Sequence, residues 1–163
     1  MAPIRPSPIS AAERMSREQR VTQVARRFGF EGRVEYRHVY SQAGGALYGL
    51  AVAPESDLLI VYADAFERDD DPEDFTLEAI IAHERGHQLL ARHDRLARNL
   101  PGGWSEMSEE VVASLLGSLL VTEVKDQQDL VLKALFEASK GNLEPDRASV
   151  LIMQLRALLE KIL

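Results

Sequence analysis

Across residues 11–28 the apolar positions Val21, Val24, Ala25 and Phe28 recur at helical spacing, and Gly29 is a natural stop, so the pattern predicts an amphipathic helix. Its other face is basic, with Arg14, Arg17, Arg20, Arg26 and Arg27. Over residues 34–66 the pattern changes to short β-prone runs, VEYRHVY, ALYGLAV and LLIVYADAF, separated by SQAGG and APESD. These predict a small antiparallel or mixed sheet of about three strands. The run at 58–62 is almost continuously apolar, which calls for a helix layer on one face. Asp69, Asp70 and Asp71 then precede Pro72, with Glu73 and Asp74 next. An aspartate cap, a first-turn proline and first-turn acids predict a helix start here. That helix is expected to run through TLEAIIAHERGHQLLARH and stop before LPGG. A third helix is predicted from residue 105 or 108 to about 125, a fourth in LVLKALFEASKG ending at Gly141, and a fifth opened by Pro145. The fold class is α+β, the sheet packed against a mainly helical domain.

Composition narrows this picture. A chain of 163 residues is one ordinary domain, and 45% apolar content with 6% aromatics fits a globular one. Residues 1–10, MAPIRPSPIS, have three prolines and read as a disordered tail, leaving 11–163 as a single domain. The chain has no cysteine, which excludes disulfides, a cysteine nucleophile and a Cys-type zinc site. A formal charge of -7, from 26 acidic against 19 basic side chains, argues against broad adhesion to nucleic acid or anionic membrane. No segment approaches the roughly 20 apolar residues of a membrane helix, and the start has no secretory pattern, so the expected location is cytoplasmic.

The chemistry is concentrated in His83-Glu84-Arg85-Gly86-His87, an HExxH string. On a helix the two histidines stand one turn apart on one face, where both rings reach the same ion. The surrounding Leu77, Ile80, Ile81, Leu89 and Leu90 make this a buried helix, in which unpaired imidazoles would be costly. The reading is zinc ligation by His83 and His87. Glu84 is rotated away from the histidine line, placed to act as general base on a water rather than as a ligand.

Three residues compete for the third ligand position. His93 stands ten residues beyond His83, the spacing of HExxHxxGxxH, but Leu90 replaces the glycine that would turn the chain back. A carboxylate from WSEMSEEVVASLLGSLL is the alternative. Positions three, four and seven beyond Glu110 are Ala113, Ser114 and Gly117, a small-residue stripe that permits close helix approach, while Glu109 shares a face with Val112, Ala113 and Leu116. Glu106 shares its face with further acids and reads as solvated. Two histidines and one glutamate leave a fourth position open, as catalysis needs.

Weaker signals surround the motif. The 58–62 strand could offer an edge to an extended peptide. Tyr36, His38, Tyr40, Tyr48 and Tyr62 include candidate oxyanion donors, and Trp104 reads as packing or as cleft rim. GGALYG lacks the GK[ST] of a phosphate loop and reads as turn and strand-kink residues.

Over roughly residues 48–120, with YGLAVAPESDLLIVYADAF, IIAHERGHQLL and SEEVVASLLGSLL in order, the chain resembles the ImmA/IrrE family of small gluzincin-type zinc metallopeptidases. EVVASLLG departs from the family's usual third-ligand helix. The resemblance implies zinc on His83, His87 and Glu110 with Glu84 as base. It also implies a narrow, regulatory protein or peptide substrate, for example a helix-turn-helix repressor. SprT-like and minigluzincin peptidases are similar in combining a small sheet with such a helix. The expected function is a zinc-dependent endopeptidase with no direct nucleic-acid or membrane partner. A noncatalytic zinc-containing interaction module is the first alternative. A nucleic-acid-binding regulator using the N-terminal arginines with Arg33 and Arg37 is the second.

Overall fold

The computed structural model describes residues 5–41, 44–99, 108–140 and 144–163. Trp104 and Glu106 lie outside the described residues. Helix α1 (Ala11–Arg27) starts where the Ser10 hydroxyl accepts from the Glu13 amide. It buries Val21, Val24 and Ala25, and it ends at Gly29, whose φ of 80° only glycine adopts freely. Ahead of it, His38 Nε2 bonds the Ser7 carbonyl and Ile9 packs on the core, within the segment expected to be a tail.

The sheet is mixed, not antiparallel. Strands β1 (Arg33–Arg37), β2 (Ala46–Gly49) and β3 (Leu58–Tyr62) lie in the order β1-β3-β2. β1 runs parallel to β3, with Arg33 opposite Leu58, and β2 runs antiparallel, with Ala46 opposite Val61. The apolar run therefore makes the centre strand, with Leu59, Ile60 and Val61 buried. It cannot offer the free edge expected of it; among the described residues the edges belong to β1 and β2.

Two further boundaries differ from expectation. The ADAF end of the third run turns into helix α2 (Ala63–Asp70), the Ala63 amide bonding the Val39 carbonyl. The acids and Pro72 then form a turn, Asp74 N to Asp71 O, with proline at its second position. The motif helix α3 (Leu77–Arg92) begins five residues later, at Thr76. The Thr76 hydroxyl oxygen accepts from the Ala79 amide while its proton goes to Asp126, and Asp69 reaches over to take the Leu77 amide. Thr76 wins the cap because Asp71 is already spent on the Glu73 amide inside the turn.

Helices α4 (Asp94–Asn99), α5 (Glu109–Leu120), α6 (Val124–Lys140) and α7 (Pro145–Ile162) complete the chain. The third expected helix stops at Leu120 instead of continuing to Lys125, and VKDQQ belongs to α6. One core cluster joins α1, the sheet and the first half of α3; a second joins Leu89 to α5, α6 and α7. The motif helix thus lies between a sheet side and a helical side. Among the described residues no helix is long and apolar enough to cross a membrane.

Candidate metal centre

Helix α3 can receive α5 closely because both present small residues at the contact. A Cβ placed on Gly86 would lie 2.2 Å from the Ala113 carbonyl oxygen, and one on Gly117 would lie 3.0 Å from the Ala82 backbone. With Ser108 capping α5 through the Val111 amide, the first turn of that helix hangs its acids over the histidines.

His83, His87 and Glu110 converge. His83 Nε2 is 2.9 Å from one oxygen of the Glu110 carboxylate, His87 Nε2 is 3.1 Å from the other, and the two Nε2 atoms are 3.2 Å apart. Among the described residues this is the group of three able to hold a metal. With zinc bonds of about 2.0–2.1 Å, tetrahedral ligand atoms stand about 3.3 Å apart. The two ring nitrogens stand just inside that figure, and each has one oxygen of the Glu110 carboxylate at a similar distance, so the donor set is compatible with zinc. His83 is buried, whereas Glu110 is half-exposed.

Each histidine is held from behind. His87 Nδ1 lies 3.0 Å from Glu109, and His83 Nδ1 lies 2.9 Å from the buried Ser114 hydroxyl. An ionised carboxylate only accepts, so Glu109 fixes the His87 proton on Nδ1 and leaves Nε2 bare in the neutral ring. Ser114 can do the same for His83. Two bare nitrogens and a carboxylate then face one another, an arrangement of lone pairs that a cation reconciles. Glu109, weighed from sequence as a ligand, therefore stands as the partner of His87, and the cluster's carboxylate is Glu110. His93 is the C-cap of α3, its buried Nδ1 has no partner among the described residues, and it stays outside the cluster.

Glu84 lines the same cleft without joining the cluster. Burial pushes its carboxyl up to about 7, against the opposing charges of His87 and Lys133 and a hydrogen bond from the Tyr48 backbone. Burial also pushes the His83 imidazole below its ordinary value; with no ion in place, a proton on His83 Nε2 instead bonds Glu110 and holds that carboxyl down to about 2. The cleft, of about 410 Å³, runs between α3 and the outer edge of β2, with Ala46, Leu47 and Tyr48 on one wall and Lys133 of α6 on the other.

That wall is tied to the motif helix by Asp57, a fully buried acid whose role the sequence did not signal. Its carboxylate accepts from Tyr48 Oη, the Ala51 amide, Gln88 Nε2 and Arg92. Burial alone would raise this carboxyl; the hydrogen bonds from Arg92, Gln88, Ala51 and Tyr48 outweigh it and hold Asp57 well below the usual range. Tyr48, one of the candidate oxyanion donors, thus spends its proton on Asp57, and burial with that bond pushes the phenol up to about 12. Tyr36 bonds Arg17 and His38, and Tyr40 donates to Glu67, so neither hydroxyl is free in this arrangement. Ser114 could have been found, four positions after Glu110 on the same helical face; Lys133, from another helix, carried no such signal.

Comparison with protein-family models, with curated proteins and with solved structures finds no match for this chain.

Proposed function

We propose that the chain is a zinc-dependent endopeptidase of narrow specificity. The observation that carries the reading is the convergence of His83, His87 and the Glu110 carboxylate within 2.9–3.2 Å, with Glu84 beside them in one cleft and outside the ligand set. When bound, zinc supplies an electrophile that polarises a peptide carbonyl and acidifies water. Glu84 takes the proton of the attacking water and returns it to the departing amine. Zinc would rest on His83 and His87 through Nε2 and on Glu110, with Ser114 and Glu109 keeping the rings oriented.

The open edge of β2 supports a peptide substrate. Among the described residues β2 pairs with β3 on one side only, and its other edge borders the cleft, where an extended chain can add backbone hydrogen bonds. The sequence pattern over residues 48–120 supports an ImmA/IrrE-like peptidase. That likeness favours a regulatory protein substrate such as a helix-turn-helix repressor, met in the cytoplasm. A nucleic-acid regulator is disfavoured because Arg17, Arg20 and Arg26 of α1 are engaged within the chain. Arg20 bonds Asp69 at 2.9 Å, Arg17 bonds Glu13 and Tyr36, and Arg26 bonds the Phe30 and Gly32 carbonyls. A noncatalytic zinc module would have no use for an acid in the position of Glu84.

The test is mass spectrometry of a denatured proteome incubated with the zinc-loaded chain. New termini made by the parent and absent with Glu84→Gln support the reading; no new termini from parent holding one zinc overturn it.

A further inference from the structure

The metal cleft does not end at the cluster. A second depression, bounded by α6, shares Arg68, Phe75 and Lys133 with it, so the two adjoin at these side chains. Beyond Lys133 the floor is Phe75, Leu132 and Phe136, and the last two are 61% and 63% exposed on an i, i+4 stripe. Large apolar side chains left open in a groove mark a contact surface.

Among the charged side chains lining this extension, Lys133 and Glu73 have no ion pair with the described residues, and Lys133 is the cation of the two. Arg68 is held by Asp74 at 2.9 Å and by the Gly44 carbonyl. Asp129 is paired with Lys125 at 2.7 Å and Glu137 with Lys140 at 3.2 Å. Lys133 makes no hydrogen bond or ion pair with the described residues; its ammonium stands 5.9 Å from the Phe75 ring centroid, at the join of the two depressions. A half-buried cation between a reactive centre and an apolar floor is complementary to an anion next to an apolar group.

We infer that this extension binds the substrate polypeptide to one side of the scissile bond, with Lys133 receiving an acidic side chain and the Phe75, Leu132 and Phe136 floor receiving a large apolar one. The inference rests on the peptidase reading and names its substrate class: acidic-apolar segments at a fixed distance from the cut. Lys133 is a specificity residue here. It selects the substrate's charge without taking part in the proton transfers of Glu84.

Peptides from a digested proteome, offered to the zinc-loaded full chain, test this through the sequences around the cuts. The parent is expected to enrich aspartate and glutamate at one position relative to the cut. Lys133→Glu is expected to replace that preference by lysine and arginine, changing the acidic-to-basic ratio by about tenfold. Leu132→Ser with Phe136→Ser, at exposed positions that leave the fold intact, is expected to remove the apolar preference and keep the acidic one. An unchanged acidic preference in Lys133→Glu, or none in the parent, overturns the inference. If nothing is cut, the peptidase reading fails, and retention of the same peptides on the immobilised zinc-loaded chain decides the inference alone. Acidic-apolar peptides held by the parent and released by Lys133→Glu support it, and equal retention overturns it.

Discussion

Gly86 and the Ala113 carbonyl are packed so closely that a Cβ on the glycine would stand 2.2 Å from the oxygen. The spacing of α3 and α5, and with it the position of Glu110 over His83 and His87, therefore depends on the absence of a single methyl group. Gly86→Ala forces the helices apart. It is expected to destabilise the fold by about 1–3 kcal/mol, as overpacking does, and to weaken zinc binding at the same time. Urea denaturation and zinc titration of the variant read the two effects. Gly117→Ala, with 3.0 Å available, is expected to be milder in both.

The groups behind the histidines are expected to tune the metal rather than hold it. Ser114→Ala and Glu109→Ala each remove one Nδ1 partner, which should weaken zinc by roughly 10–100-fold while leaving its stoichiometry intact. Competition against a chromogenic chelator measures this. Complete loss of zinc in Glu109→Ala with retention in Glu110→Ala would exchange the assigned roles.

Glu84→Gln removes the proton carrier and no ligand. Hydrolysis is expected to fall by about 10²–10⁴-fold, with zinc content and thermal stability close to those of the parent. Loss of zinc in this variant would move Glu84 into the ligand set.

Asp57 should make stability depend on acid. Its carboxyl is held below the ordinary 3.8, so its contribution is complete above about pH 4 and is lost as pH falls towards the lowered value. Asp57→Ala leaves Arg92, Gln88 and Tyr48 without their shared acceptor and is expected to lower Tm by roughly 5–10 °C at neutral pH. The gap between parent and variant should narrow below pH 4 in thermal scans. A gap that stays constant down to pH 2 would contradict the assignment.

What the sequence disclosed and what it hid follow from the range of the interactions. His83, Glu84 and His87 were legible because one helical turn fixes their relation, and the small stripe Ala113, Ser114 and Gly117 was legible because close packing needs small side chains. The true start of α3 was not, because the choice between Asp71 and Thr76 depends on a turn that consumes Asp71 and on Asp126, fifty residues away. A single apolar run does not disclose its neighbours, so the sequence leaves open whether β3 is an edge; its parallel pairing with β1 is joined at one end by the Arg33 amide bonding the Asp57 carbonyl. The structure separates Glu109 from Glu110 by which side of His87 each reaches. Glu109 meets Nδ1 and Glu110 meets Nε2, a distinction of ring geometry that no spacing rule contains.

One zinc ion held by His83, His87 and Glu110 is what the proposed chemistry stands on. Elemental mass spectrometry of the chain purified without chelators tests it most directly, with Glu110→Ala measured alongside. Near one zinc per parent chain and little in the variant is the expected result. A folded parent that neither retains nor rebinds zinc would contradict it, as would a Glu110→Ala variant that holds zinc as tightly as the parent.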